Sequence, residues 1–149
     1  MATTPTQTHP LFTLALTHNT DFTELADNCE RFIDALVECN ESATKLALFG
    51  RLSVCLALLQ STLLEPVPEH LKENLTVESL PTRLPVFEPE ADQLGHYCQV
   101  LTQLLMSGAL MADAERVMQD LLFELVTYYS DTLKMPRWLR TEEGMITLE

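Results

Sequence analysis

Basic residues and glycine are scarce in this sequence, and both shortages limit what the chain can do. It has 9 Lys and Arg against 22 Asp and Glu, for a formal net charge of −13 at pH 7. A chain this acidic is repelled by nucleic-acid phosphates and by anionic membrane surfaces, so we expect neither as a direct partner. With only 4 glycines, none of them grouped, the chain has no phosphate-binding loop of either common type.

Motifs for catalysis and metal binding are also missing. The sequence has no Gly-x-Ser-x-Gly motif and no Glu-x-x-His repeat of the kind that di-metal bundles need. Asp92 and His96 are one helical turn apart, but two ligands are too few for a specific metal site. We therefore expect a protein that is not an enzyme and that uses no metal or cofactor.

The 4 cysteines show no Cys-x-x-Cys pair, and each lies among apolar residues of a helical pattern. They are predicted to be free, buried thiols, which suits a reducing compartment. The N-terminal stretch has no basic region, and its apolar run is too short for a signal sequence. These features predict a cytoplasmic protein.

Hydrophobic periodicity predicts long helices and no strong strand. The first helix begins at Asp21, and apolar residues recur along it at three- and four-residue steps from Phe22 to Leu36. The second, Ser42–Leu64, is apolar on almost every side, which predicts that other helices bury it all round. Arg51 lies in the middle of this run and argues against lipid as the covering material.

The second half of the sequence predicts two more helices after an interruption. Residues 65–89 contain several prolines, which forbid a long helix and indicate a crossover lying against the other helices. One helix then follows Pro89, and the last runs from about Leu110 to Lys134. The predicted fold class is all-α, a helical bundle of four long helices with a Pro-rich crossover between the second and third.

The predicted domain organisation is simple. Residues 1–9 form a mobile N-terminal segment, residues 10–140 a single helical-bundle domain, and residues 141–149 a loose acidic tail.

Carboxylates gather on one side of the first helix. Asp27, Glu30 and Asp34 lie away from the apolar stripe, where their mutual repulsion gains nothing for folding. Such a surface attracts a basic protein, although it also serves solubility alone. The three residues are our first candidates for a protein-binding site.

Two further candidates lie towards the C-terminus. Phe123 falls on the polar side of the last helix, where it is either an exposed binding anchor or is covered by another part of the chain or by a second copy. Arg137 and Arg140 form the only local basic cluster, and the only tryptophan, Trp138, lies between them. For Trp138 we favour a role in closing the open end of the bundle, with a protein contact as the alternative.

These features predict a non-enzymatic protein–protein interaction module: a small acidic regulator, adaptor or secretion-type chaperone. Its partner is another protein, of basic character in the simplest case, and a second copy of the chain is a further candidate. One alternative is a helical bundle that binds a small apolar ligand in a cavity, lined for example by Tyr128, Tyr129, Met118 and Phe32. The other is an acidic inhibitor, such as an immunity protein or a nucleic-acid mimic, that acts on a basic enzyme.

Overall fold

The computed structural model describes residues 10–148, and the chain divides into two compact units. The first unit ends at Pro81 and the second begins at Thr82. Most regular structure within residues 10–148 is helical: α1 Phe22–Glu38, α2 Ser42–Thr62, α3 Ala91–Met106 and α4 Ala112–Leu133. The prediction of a mostly helical protein is confirmed, while the predicted mobile segment 1–9 lies outside the described residues.

The first unit is a helical hairpin of α1 and α2. Asp21 caps α1, because its Oδ1 atom accepts hydrogen bonds from the backbone N–H groups of Thr23 and Glu24, each at 3.0 Å. The apolar stripe of α1 then packs against α2, which also contacts a short 3-10 helix, Pro10–Thr13. The buried core of this unit consists of Leu11, Leu25, Phe32, Leu36, Leu48, Leu52 and Cys55.

Helix α2 is not buried on all sides, which contradicts the prediction made from its composition. Its buried residues are Leu48, Leu52 and Cys55, whereas Phe49 and Leu56 are exposed. Within the first unit α2 packs against α1 and one short 3-10 helix. These two neighbours leave part of the surface of α2 exposed. By length and composition alone α2 would also suffice to cross a membrane, a property that core helices of soluble proteins share.

The second unit contains a hairpin of α3 and α4. Gly108, with φ of +66°, follows the end of α3, where the sequence predicts a helix stop. The two helices approach closely at Gly95, where an added Cβ atom would lie 3.0 Å from the hydroxyl oxygen of Tyr129. Leu94 and Cys98 of α3 are buried, but no residue of α4, which lies wholly in the described range, is buried.

The C-terminal residues form a β-hairpin that the sequence did not predict. Strand β1, Trp138–Thr141, pairs antiparallel with β2, Gly144–Thr147. The turn is possible because Gly144 adopts φ of +130°, which other residues avoid. The expectation of a loose tail after residue 140 is therefore wrong for these strand residues.

The connection between α2 and α3 is mostly irregular. Its one described regular element is the 3-10 helix Glu69–Leu71, in which Leu71 is buried. The other apolar residues of this stretch, expected to lie against the helices, are exposed: Val77, Leu80, Leu84, Val86 and Phe87. The single domain over 10–140 stays a prediction.

Candidate binding surfaces

One face of the α1–α2 hairpin combines apolar side chains with carboxylates. A depression of about 430 Å3 on this face is lined by Cys29, Glu30, Ile33, Asp34, Leu52 and Leu56. Ile33 and Leu56 are 48% and 44% exposed, although both were predicted to be buried. A neighbouring depression of about 420 Å3 shares Leu52 and Leu56 and adds Phe49. We call Glu30, Ile33, Asp34, Phe49, Leu52 and Leu56 the acidic–apolar face.

The carboxylates of this region follow from helical geometry. Asp27, Glu30 and Asp34 succeed one another at steps of three and four residues, which makes them neighbours on the surface of α1. All three are exposed, and none takes part in the ion pairs found among residues 10–148. The structure thus places Glu30 and Asp34 beside an apolar depression, whereas Asp27 lies outside its lining.

Phe123 is strongly exposed, at 73% of its surface. The side of α4 that faces α3 carries Leu121, Leu125 and Tyr128, which line a groove between the two helices. Phe123 is not among the residues that line it. The geometry of the second unit therefore leaves Phe123 available for contact.

The basic cluster lies on the β-hairpin. Trp138 is 62% exposed, which contradicts the favoured prediction that it closes one end of a bundle. The register pairs Trp138 with Thr147 and Arg140 with Met145. Because alternate strand residues share a face, the indole and the Arg140 side chain lie on the same side of the hairpin. Arg137, which is also exposed, precedes the strand.

A larger groove separates α3 from α4. It has a volume of about 860 Å3 and is lined by Phe87, Gln93, His96, Tyr97, Val100, Leu101, Leu121, Glu124, Leu125 and Tyr128. Of the residues proposed from sequence for an apolar cavity, Tyr128 lines this groove. Phe32 lies in the core of the first unit, and Tyr129 faces Gly95. The helical spacing of Leu121, Leu125 and Tyr128 indicates that they share one face of α4. Sequence alone could not distinguish a face that lines a groove from one that is buried in a core.

The thiols are free, as predicted, but unequally buried. Cys55 and Cys98 are buried, whereas Cys29 and Cys39 are partly exposed, which corrects the expectation that all four are inaccessible. The Sγ atoms of Cys29 and Cys55 lie 3.5 Å apart, and the Cys55 thiol also donates to the Leu25 carbonyl at 3.3 Å. Burial, reinforced by Cys29, raises the pKa of Cys55 to about 12, so this thiol stays protonated and unreactive at neutral pH.

Metal-binding geometry is not found within residues 10–148, where no group of three His, Cys, Asp or Glu side chains could hold an ion. Compared with known proteins, the chain matches no family model, no curated protein and no solved structure.

Proposed function

We propose that this protein is a non-enzymatic protein-binding module, a small acidic regulator, adaptor or secretion-type chaperone. Its acidic–apolar face would bind a basic amphipathic helix of a partner protein. The observation that carries the proposal is the position of Glu30 and Asp34 beside the exposed Ile33 and Leu56. Apolar side chains exposed in a contiguous group and edged by charge are typical of an interaction site.

The chemistry of this face favours a basic helix over other partners. An amphipathic helix lays its apolar side chains into a hydrophobic depression, and here Ile33, Leu52 and Leu56 would receive them. Lysine or arginine at the margin of such a helix would meet Glu30 and Asp34, which have no ion-pair partner among residues 10–148. Charge complementarity of this kind raises the association rate and selects the partner.

The remaining expectations about this module stay proposals. Phe123 and the hairpin residues Arg137, Trp138 and Arg140 would provide a second contact area, for the same partner or for another copy of the chain. A bundle of all four helices and a cytoplasmic location likewise remain predictions from sequence.

The direct test uses two synthetic helical peptides with the same leucine face, one edged by lysine and the other by glutamate. Fluorescence anisotropy should detect binding of the lysine peptide only, and Glu30→Lys with Asp34→Lys should weaken it about tenfold or more at low salt. The matched control, Glu73→Lys with Glu78→Lys, makes the same change in charge at exposed positions of the same unit. Equal binding of both peptides, or equal weakening by both double variants, would refute the proposal.

The natural partner can then be sought with the same variants as bait. A protein captured from the native lysate by the wild type and by the control, but lost with the Glu30 and Asp34 reversals, would qualify as a candidate. Its own sequence should contain a basic amphipathic helix that binds when isolated.

An acidic inhibitor of a basic enzyme would use the same carboxylates in a different way. Such a mimic depends on charge alone, so Ile33→Ala and Leu56→Ala would leave its binding unchanged. For the proposed module, either substitution should increase the dissociation rate, because apolar contacts hold the complex together.

A further inference from the structure

The α3–α4 groove has two chemically different ends. Gly95 faces Tyr129, which aligns the helices so that residues after Gly95 lie beside residues that precede Tyr129. Tyr97 and Tyr128 both line this part of the groove, and the Tyr128 hydroxyl donates to the Phe87 carbonyl at 3.5 Å. This aromatic end is continued by aliphatic side chains, namely Val100, Leu101, Leu121 and Leu125.

The lining of the groove holds one carboxylate and one imidazole, that of His96. Glu124, which supplies the carboxylate, lies one helical turn before Tyr128. The lining residues, all within 10–148, include no Lys or Arg. Helices α3 and α4 together carry six carboxylates and one arginine. That arginine, Arg116, lies 4.0 Å from Asp113 and outside the groove. The carboxylate of Glu124 therefore favours a cation over an anion in this groove.

We propose that the α3–α4 groove binds a single-chain amphiphile with an alkylammonium head group. The head would lie against the rings of Tyr97 and Tyr128, beside Glu124, because aromatic faces and a carboxylate together attract an ammonium ion. The alkyl chain would lie along Leu121 and Leu125. The volume of about 860 Å3 lies within the range of small-molecule sites.

The length of the groove fits such a ligand. From Leu121 to Tyr128 the helix advances about 10 Å. This distance suits one extended alkyl chain with its head at Tyr128. The site lies wholly in the second unit and is independent of the acidic–apolar face, so either proposal can fail alone.

The test compares three probes below their micelle concentrations: decyltrimethylammonium, decyl sulfate and decyl maltoside. Titration followed by amide chemical shifts should show saturable binding of the ammonium probe, with shifts concentrated at residues of the groove. Glu124→Gln should weaken its binding about fivefold or more, since it removes the carboxylate beside the cation. Glu115→Gln removes the same charge from α4 outside the groove and should change the affinity less than about twofold.

The aromatic end is tested separately. Tyr128→Phe keeps the ring and should retain binding, whereas Tyr128→Leu should weaken the ammonium probe more than the maltoside. Circular dichroism melting establishes that each variant is folded. The proposal is overturned if decyl sulfate binds as tightly as the ammonium probe, if Glu124→Gln has no effect, or if the shifts lie elsewhere. Absence of any binding, as expected if another segment fills the groove, would overturn it as well.

Discussion

Asp21 shows how one side chain sets the start of a helix. Besides its two backbone partners, it accepts a hydrogen bond from the Thr23 hydroxyl at 2.6 Å. The Thr23 hydroxyl bond, the two backbone bonds and the contact with His70 Nε2 at 3.4 Å lower the pKa of Asp21 from 3.8 to about 2. A lowered pKa means that folding favours the ionised form.

We expect Asp21→Ala to lower the free energy of unfolding at pH 7 by about 1 kcal/mol, since the cap is lost. Asp21→Asn keeps an acceptor oxygen but cannot ionise. The stabilisation from ionised Asp21 is present above about pH 4 and disappears as the pH falls towards 2. Urea unfolding at several pH values should therefore show the difference between wild type and Asp21→Asn shrinking over this range. A constant difference would contradict the pKa argument.

The four cysteines should differ in how fast they react with a thiol reagent. A thiol reagent at neutral pH should modify Cys29 and Cys39 first, because both are partly exposed, and Cys55 and Cys98 only on unfolding. Mass spectrometry of peptides at successive times gives the order. Cys55→Ser should leave the rate at Cys39 unchanged and serves as a control. Early modification of Cys55 would show that its burial is transient.

Two helical glycines should respond oppositely to substitution by alanine. Gly50 of α2 has open space where a Cβ atom would lie, so Gly50→Ala should stabilise the protein by up to about 1 kcal/mol. Gly95→Ala gains the same helix propensity, but its methyl group would meet the Tyr129 ring, with the hydroxyl oxygen at 3.0 Å. We expect a lower melting temperature, recovered in part by Tyr129→Leu. Equal stabilisation by both alanines would show that α3 and α4 are not packed this closely.

Helix α2 offers a second comparison between matched positions. Leu48 is fully buried, so Leu48→Ala should cost about 2–5 kcal/mol. Leu56 is 44% exposed, and Leu56→Ala should cost less than about 1 kcal/mol. Urea unfolding of the two variants measures both values. Similar losses would mean that α2 is covered on both sides, as its composition predicted.

The same helix explains how far sequence could predict this fold. Periodicity located the four helices, because amphipathic spacing and caps such as Asp21 are local properties. It could not predict which side of α2 is buried, since a helix that is apolar all round carries no directional signal. The β-hairpin of β1 and β2 was missed because four-residue strands depend on their partner for pairing.

The net charge of −13 acts over a longer range than any single contact. It concentrates basic molecules near the surface, and salt screens it within about 8 Å at physiological ionic strength. Apolar contact acts only at close range, and Phe123 is the most exposed aromatic side chain among residues 10–148. Charge and apolar contact should therefore affect different rate constants of the same complex.

Binding kinetics with a partner protein can separate the contribution of charge from that of apolar contact. Reversal of Glu30 and Asp34 to lysine should leave the fold intact or slightly more stable, because it removes repulsion along α1. It should slow association at low salt, and the effect should diminish at high salt. Phe123→Ala should instead raise the dissociation rate with little dependence on salt, since an aromatic anchor acts through desolvated contact. Surface-bound kinetics at two ionic strengths distinguish these outcomes, and if neither variant alters either rate, the partner binds to another part of the molecule.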